Sequence, residues 1–593
     1  MKPSRYHYLW AIVYLLSIGC QDKEPAHNED SQNRPNIVLI MADDQGWGDL
    51  SSSGNPNLNT PNIDAMARNG VSFENFFVQP VCSPTRAEML TGRHFPRLGV
   101  YETSAGGERM NLGETTLADI LKKAGYKTAA YGKWHNGMQP PYHPNARGFD
   151  DFYGFASGHW GNYFSPMLEH NGEIVTGTGY LADDLTDHSL EFMEKNRNEP
   201  FLLYLPFNTP HSPMQVPDRY WDRFKDKPLT KTYHGAEPEN ENFTRAALAM
   251  VENIDYNVGR VITKLKELKL EENTIVIYLS DNGPNGWRYN GEMRGKKGST
   301  DEGGVRTPFF IQWKNTLPGG KVVVPIAGAL DILPTLCHLA GVEVKTRHPV
   351  DGKDLSPLLF ENSPTWEDRL IYNHWNGNTS VRTQNYRLDD QDQLYDMIGD
   401  RGQTTDISAQ YPQLTDSLKK AKASWLSAVM PATKDDRPFT LGDPDFEFTQ
   451  LPARDGVPHG NITRSNRFPN DTYFTHWIST EDSITWDVDV LADGTFEVQL
   501  YYTCAPSDVG TTLSLSHGQN LLTAKVTEVN DPSLTGMEND RDPRIESYIK
   551  DFKPMTLGKI ALKKGRSLLT LKALNIPGEA AVEVRLLIFK RLP

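Results

Sequence analysis

Cysteine is scarce in this chain: Cys20, Cys82, Cys337 and Cys504 are all there are in 593 residues. Their spacing fits neither a zinc site nor a redox pair. Basic runs are missing as well, so nothing suggests a nucleic-acid partner. Lys and Arg number 61 against 76 Asp and Glu, a formal net charge of −15. Such acidity argues against wholesale binding of a polyanion, so an anion must be held by a local cationic pocket. No internal repeat is present. Nor is there an apolar run of the about 20 residues that a membrane-spanning helix needs; the run at 9–18 is shorter. What is there, 38% hydrophobic and 23% charged residues, suits a soluble globular protein, and the length suits two or three domains.

Residues 1–20 read as a secretory signal, with Lys2 and Arg5 ahead of the apolar run. The run ends Leu16-Ser17-Ile18-Gly19-Cys20, which resembles a bacterial lipobox, Ser17 departing from its strictest form. That implies lipidation of Cys20 and membrane anchoring without spanning, plain cleavage being the alternative. The expected location is the periplasm or surface of a bacterium. Polar residues 21–34 then form a tether.

Four strand-like runs follow, each ending in a polar cluster. Residues 36–41 lead to Asp43 and Asp44, 127–131 to Lys133 and His135, 201–205 to Asn208 and His211, and 274–279 to Asp281 and Asn282. Helical stretches separate them, as at 117–124 and 246–268. This alternation predicts an α/β fold, a mostly parallel sheet covered on both faces, with ligands bound beyond the carboxyl ends of its strands. All four clusters lie at such ends. Residues 365–430 predict a small antiparallel subdomain closing the α/β core of 35–364. The Pro-, Gly- and Asp-rich segment 431–455 reads as a linker, and 456–593 as a β-sandwich of short alternating strands. Cys337 and Cys504 read as core residues, a bridge between them remaining open.

The most informative stretch is Val81-Cys82-Ser83-Pro84-Thr85-Arg86-Ala87-Glu88-Met89-Leu90-Thr91-Gly92-Arg93. It predicts a loop turning into a helix, with Ser83 as cap and Pro84 in the first turn. Cys82 and Arg86 then sit at the helix N-terminus, which favours an anion. The stretch resembles the signature of the formylglycine-dependent sulfatases of the alkaline phosphatase superfamily, C-x-P-x-R followed by A-x-x-L-T-G-R; only Glu88 departs, where a small residue is commoner. The resemblance implies that Cys82 is oxidised to an aldehyde (3-oxoalanine) by a formylglycine-generating maturation enzyme.

Asp43, Asp44, Asp281 and Asn282 are hard oxygen ligands from two strand ends, suited to Ca²⁺, with Mg²⁺ the alternative. In the resemblance they match the family's metal ligands, joined by modified Cys82. Lys133, His135, His211 and Lys297 match its lysine and histidine segments, with Lys297 rather than Lys296 aligned by its distance to Glu302. The implied mechanism is attack of the hydrated aldehyde, held by metal and Arg86, on the sulfur of a sulfate ester. Lys133, Lys297 and the metal stabilise the sulfate oxygens. His211 protonates the leaving alcohol, and His135 takes the proton whose loss expels sulfate. Two rivals are a phosphonate or phosphate ester hydrolase of the same superfamily and an inactive glycan-binding protein.

His159, Trp160, Tyr163, Trp287, Arg288, His374 and Trp375 are the substrate candidates, since aromatic faces suit sugar rings and arginine suits a uronate or second sulfate. A sulfated carbohydrate, an algal polymer such as ulvan or carrageenan, fits the export signal and the appended sandwich. Within the sandwich Trp486 and Tyr502 are expected in the core, and Tyr473, Phe474 and Trp477 as glycan contacts.

Overall fold

The computed structural model describes residues 34–361, 365–431 and 435–593. The expected signal, Cys20 and residues 21–33 of the tether lie outside the described residues. Among the described residues no helix is long and apolar enough to cross a membrane.

Strand Asn36–Ala42 is buried along its whole length. Its odd-numbered apolar residues Ile37, Leu39 and Met41 enter one core, and Val38, Ile40 and Ala42 the other. A strand covered on both faces reads as a continuous apolar run, and this is how a parallel sheet between helices is built. The strand pairs in parallel with Phe201–Pro206 on one side and Thr274–Ser280 on the other. Lys127–Lys133 and Asp151–Phe155 continue the parallel array. Antiparallel strands are added at both edges, giving ten strands in all. Helices Leu181–Lys195 and Glu241–Glu267 cover one face, and Cys82–Thr91, Leu117–Lys123 and Ile332–Leu339 the other. Full burial of each such apolar side chain contributes about 1.5–3 kcal/mol.

Residues 371–396 form a four-stranded antiparallel sheet, packed by helix Pro412–Val429. Glu302 of the core pins it, accepting from Arg382 Nε at 3.2 Å and Arg387 Nη2 at 3.0 Å.

Two six-stranded sheets then make a sandwich. It starts earlier than its composition suggests. Within the expected linker, Phe439–Leu441 pairs with Ser483–Val490, and Phe448–Pro452 with Glu583–Arg591. Short strands broken by Pro438, Pro444 and Pro452 leave no alternation to read. Trp486 and Tyr502 are core residues, as expected. Tyr473, Phe474 and Trp477 are buried too, at 7%, 1% and 1% exposure, so they offer no glycan contact. Cys337 and Cys504 are both free thiols, in separate cores.

The sandwich packs tightly on the α/β core. Arg454 reaches Glu108 at 2.6 Å with both side chains buried, and also donates to Ser157 at 3.1 Å. Gln139 donates to the Gln450 carbonyl and to Asp455, both at 2.9 Å. Buried, hydrogen-bonded charges at a seam cost much to separate, because an unpaired partner stays desolvated.

Candidate active site

Helix Cys82–Thr91 starts on Cys82 itself, with Val81 as N-cap and no side chain capping the first turn. Ser83, expected as the cap, donates to the Glu102 carbonyl at 2.9 Å instead. The first backbone N–H groups of the helix therefore have no side-chain cap. Glu88, the odd residue of the motif, is buried and accepts from Gln79 Nε2 and from Phe95 N, each at 3.0 Å. It clamps the chain on either side of the helix.

The four strand-end clusters converge beneath Cys82. Single ligand atoms of Asp43, Cys82 and Asp281 lie within 4.8 Å of one another, as do those of Asp43, Asp44 and His211. Three cations meet three carboxylates. Lys133 Nζ donates to Asp43 at 2.7 Å, Lys297 Nζ pairs with Asp44 at 2.7 Å, and Arg86 Nη2 donates to Asp281 at 2.7 Å. Arg86 also donates to the Lys133 carbonyl at 2.9 Å. Lys296, by contrast, lies over the Trp287 ring. Burial pushes Asp43 up, Lys133 opposes this, and the charges of Asp281 and Asp44 add to it; it rises to about 8. The Asp43 Oδ1 and Asn282 Oδ1 atoms are buried without a hydrogen-bond partner. Asp44 and His135 both adopt left-handed backbone, φ 67° and 65°. Non-glycine residues hold that conformation only where their surroundings enforce it, as at reactive sites.

His135 Nε2 donates to the Thr103 carbonyl at 2.8 Å, and its buried Nδ1 has no partner. His211 Nδ1 donates to the Ser212 carbonyl at 2.6 Å, while Nε2 lies 3.6 Å from Asp44. Burial and the positive charge of Lys297 and Lys133 bring His211 down to about 3, against the pull of Asp44. Burial likewise holds His135 well below the usual histidine range and raises the Cys82 thiol above its ordinary value.

A cavity of about 730 Å³ opens over this centre, with Asp44, Cys82, His135, His211 and Lys297 at its floor. Of the substrate candidates, His159 and Trp375 line it. The others are committed elsewhere. Trp160 stacks on Phe155 at 5.0 Å in the core. Tyr163 is buried, and its hydroxyl donates to the Ser212 carbonyl at 2.8 Å, which fixes the His211 loop. Trp287 stacks on Tyr233. Arg288 is buried against Asp49 at 2.7 Å and does not line this cavity. His374 Nδ1 bonds Thr379 Oγ1 at 2.7 Å. Sequence reasoning missed the far wall of the cavity, where Phe468, Asn470, Asp542, Arg544, Ile545 and Glu546 come from the sandwich. No local pattern marks them; only the docking of the two parts brings them there.

Comparison with known proteins agrees with this arrangement. Residues 35–342 match the sulfatase family model. The N-acetylgalactosamine-6-sulfatase of Mus musculus is 32% identical over 381 residues, covering 58% of this chain and 69% of that one. The crystal structure of Ps i-CgsB in complex with k-i-k-neocarrahexaose superposes with a TM-score of 0.60 at 32% identity, over 66% of this chain and 92% of that one. A phosphonate monoester hydrolase of Agrobacterium radiobacter, at 20% identity and a TM-score of 0.51 over 67% of this chain and 96% of that one, shares the fold alone. Matched over just over half its length by the family model, with the parallel sheet and the strand-end clusters in place, the chain belongs to the sulfatase family and is a sulfuric ester hydrolase.

Proposed function

We propose that this sulfatase hydrolyses sulfate esters of an algal polysaccharide, such as ulvan or carrageenan, or of its oligosaccharides, and that residue 82 acts as a formylglycine. The observation that carries this reading is the convergence of three cation–carboxylate pairs around the uncapped helix start at Cys82, beneath one cavity whose floor is lined by Cys82, Asp44 and Lys297. A relative bound to a neocarrahexaose and another named for N-acetylgalactosamine 6-sulfate support the carbohydrate class.

Asp43, Asp44, Asp281 and Asn282 fit a divalent cation, Ca²⁺ with Mg²⁺ the alternative. Their crowded carboxylates and the two partnerless oxygens are what such an ion would satisfy. When bound, the ion supplies positive charge for a sulfate oxygen and orientation for the nucleophile. Asp43, Asp44 and Asp281 are already balanced by Lys133, Lys297 and Arg86. A dication therefore leaves an excess of two positive charges, enough for the single charge of a sulfate ester and for the second charge gained when sulfate is released.

A cysteine whose thiolate is disfavoured by burial is a poor nucleophile. An aldehyde at this carbon supplies, as its hydrate, one hydroxyl to attack sulfur and a second to release sulfate. Lys133 and Lys297 stand where they can exchange their carboxylate partners for the sulfate oxygens. Arg86 is spent on Asp281 and the Lys133 carbonyl, so its part is to hold the ligand carboxylate rather than the nucleophile. His211 is neutral in the free enzyme, with Nε2 towards the floor. Anionic ester between the two lysines offsets their charge and lets Nε2 take up a proton from solvent in the open cavity, which it then gives to the leaving alcohol. His135 keeps Nδ1 free as a base because Thr103 holds Nε2 as the donor.

Export to the periplasm or cell surface and anchoring through Cys20 complete the proposal, resting on residues 1–20. A panel of defined sulfated oligosaccharides, with phosphonate esters alongside and NMR of the products, tests it. Sulfate release from a saccharide supports the reading; preferential cleavage of phosphonate esters overturns it.

A further inference from the structure

We propose that the sandwich is a working part of the active site, in which Glu546 and Asn470, together with His159 of the core, bind the hydroxyl groups of the sugar ring that leaves as the alcohol. This rests on the sulfatase reading above and identifies which part of the chain recognises the sugar.

The segment carrying Glu546 is built into the core. Gln215 Nε2 donates to the Gly536 carbonyl at 2.7 Å and to Asp540 at 2.9 Å, and Arg541 N donates to the Met214 carbonyl at 2.9 Å. Ser212, the residue after His211, donates its hydroxyl to Glu546. Asn470 Nδ2 donates at 3.3 Å to the Thr103 carbonyl, the same oxygen that receives His135 Nε2. Glu546 thus stands one hydrogen bond from the His211 loop, Asn470 shares its acceptor with His135, and both line the same cavity.

The cavity wall has unmet polar capacity at this place. His159 is 6% exposed, and neither ring nitrogen has a partner. Its ring lies 5.5 Å from that of His211. A buried imidazole left without partners costs free energy that a ligand hydroxyl recovers. Glu546 accepts from Ser212 through Oε1, and carboxylate oxygens have room for further donors.

Charge narrows the ligand further. Arg544 is spent on Asp540, at 2.8 Å from Nε, and on the Gly161 carbonyl. Asp542, held by Asn240 Nδ2 at 3.1 Å, and Glu546 are then the uncompensated charges on the sandwich wall, and Glu102 faces the same cavity from the core. Carboxylates accept from sugar hydroxyls and repel a uronate or a second sulfate. The ring at this wall is therefore neutral, with the scissile sulfate as its one anionic group. Ile545, 65% exposed, and Phe468, 38% exposed, give the rim an apolar surface for sugar C–H groups.

Glu546→Gln, Asn470→Ala and His159→Ala are to be compared with the full-length parent on monosulfated galactose and N-acetylgalactosamine esters and on 4-nitrocatechol sulfate, with inhibition by inorganic sulfate measured alongside. Each variant should raise KM for the sugar esters roughly tenfold or more. In Glu546→Gln and His159→Ala the aryl ester kcat/KM, the sulfate inhibition constant and Tm should stay near the parent's, because none of these reports on sugar hydroxyls. Asn470→Ala also removes the oxygen that accepts from Ser157 and Arg454 at the seam, at 3.2 and 3.1 Å, so its Tm should fall and its test is the KM split alone. Unchanged KM for the sugar esters overturns the proposal. So does an equal loss on the aryl ester, which marks a structural role at the histidine loops. Parent hydrolysis of 4-nitrocatechol sulfate checks the sulfatase reading by itself; a parent inert on every sulfate ester overturns both.

Discussion

Arg86 donates from Nε and Nη2 to a single oxygen of Asp281, at 3.1 and 2.7 Å, with both side chains sealed from solvent. Removing one partner strands a buried charge, which costs about 3–5 kcal/mol. Arg86→Ala and Asp281→Ala should each lower the thermal midpoint strongly, and Asp281→Ala should also lose bound metal by elemental analysis. Exhaustive chelation of the parent should abolish turnover, with Ca²⁺ restoring it. Wild-type stability in both variants, or full activity with no metal present, contradicts this account.

Glu302, which does not line the cavity, makes a pH prediction. Burial alone raises its pKa, but Arg382, Arg387 and Arg306 overcome that and bring it down from 4.5 to about 2. A folded-state pKa below the unfolded one gives stability that is present above about pH 4.5 and lost as pH falls towards about 2. The amount is about 3 kcal/mol. Urea unfolding across that window should show the loss in the parent and a flatter dependence in Glu302→Gln. Identical slopes would remove Glu302 as the clamp of the four-stranded sheet.

His211→Ala separates the proton donor from the rest of the site. Turnover should fall most for sugar sulfates, whose alcohols leave poorly without a proton, and least for an aryl sulfate. Steady-state kinetics on both esters measures this. Equal losses would move the acid role elsewhere, with His135 first in line.

The parallel sheet was legible because strand 36–42 is apolar on both faces and ends in paired aspartates. The catalytic floor was legible for a related reason: strand ends in such a sheet share one edge, so separate clusters must meet. Arg288 and Trp160 show where this stops. Residue type does not tell which way a loop side chain points, and Arg288 turned to Asp49 while Trp160 turned into the core. Glu546 was invisible for a further reason. Its position over the cavity depends on how the sandwich docks, through contacts such as Arg454 with Glu108 that lie 346 residues apart.

The central claim concerns the carbon of residue 82. Peptide mass spectrometry of active enzyme, with and without a hydrazine reagent, tests it most directly. An aldehyde at Cys82 that the reagent traps, with turnover lost in proportion and a folded but inactive Cys82→Ala, is the predicted result. Fully active enzyme carrying only an unmodified thiol at Cys82 would contradict the account.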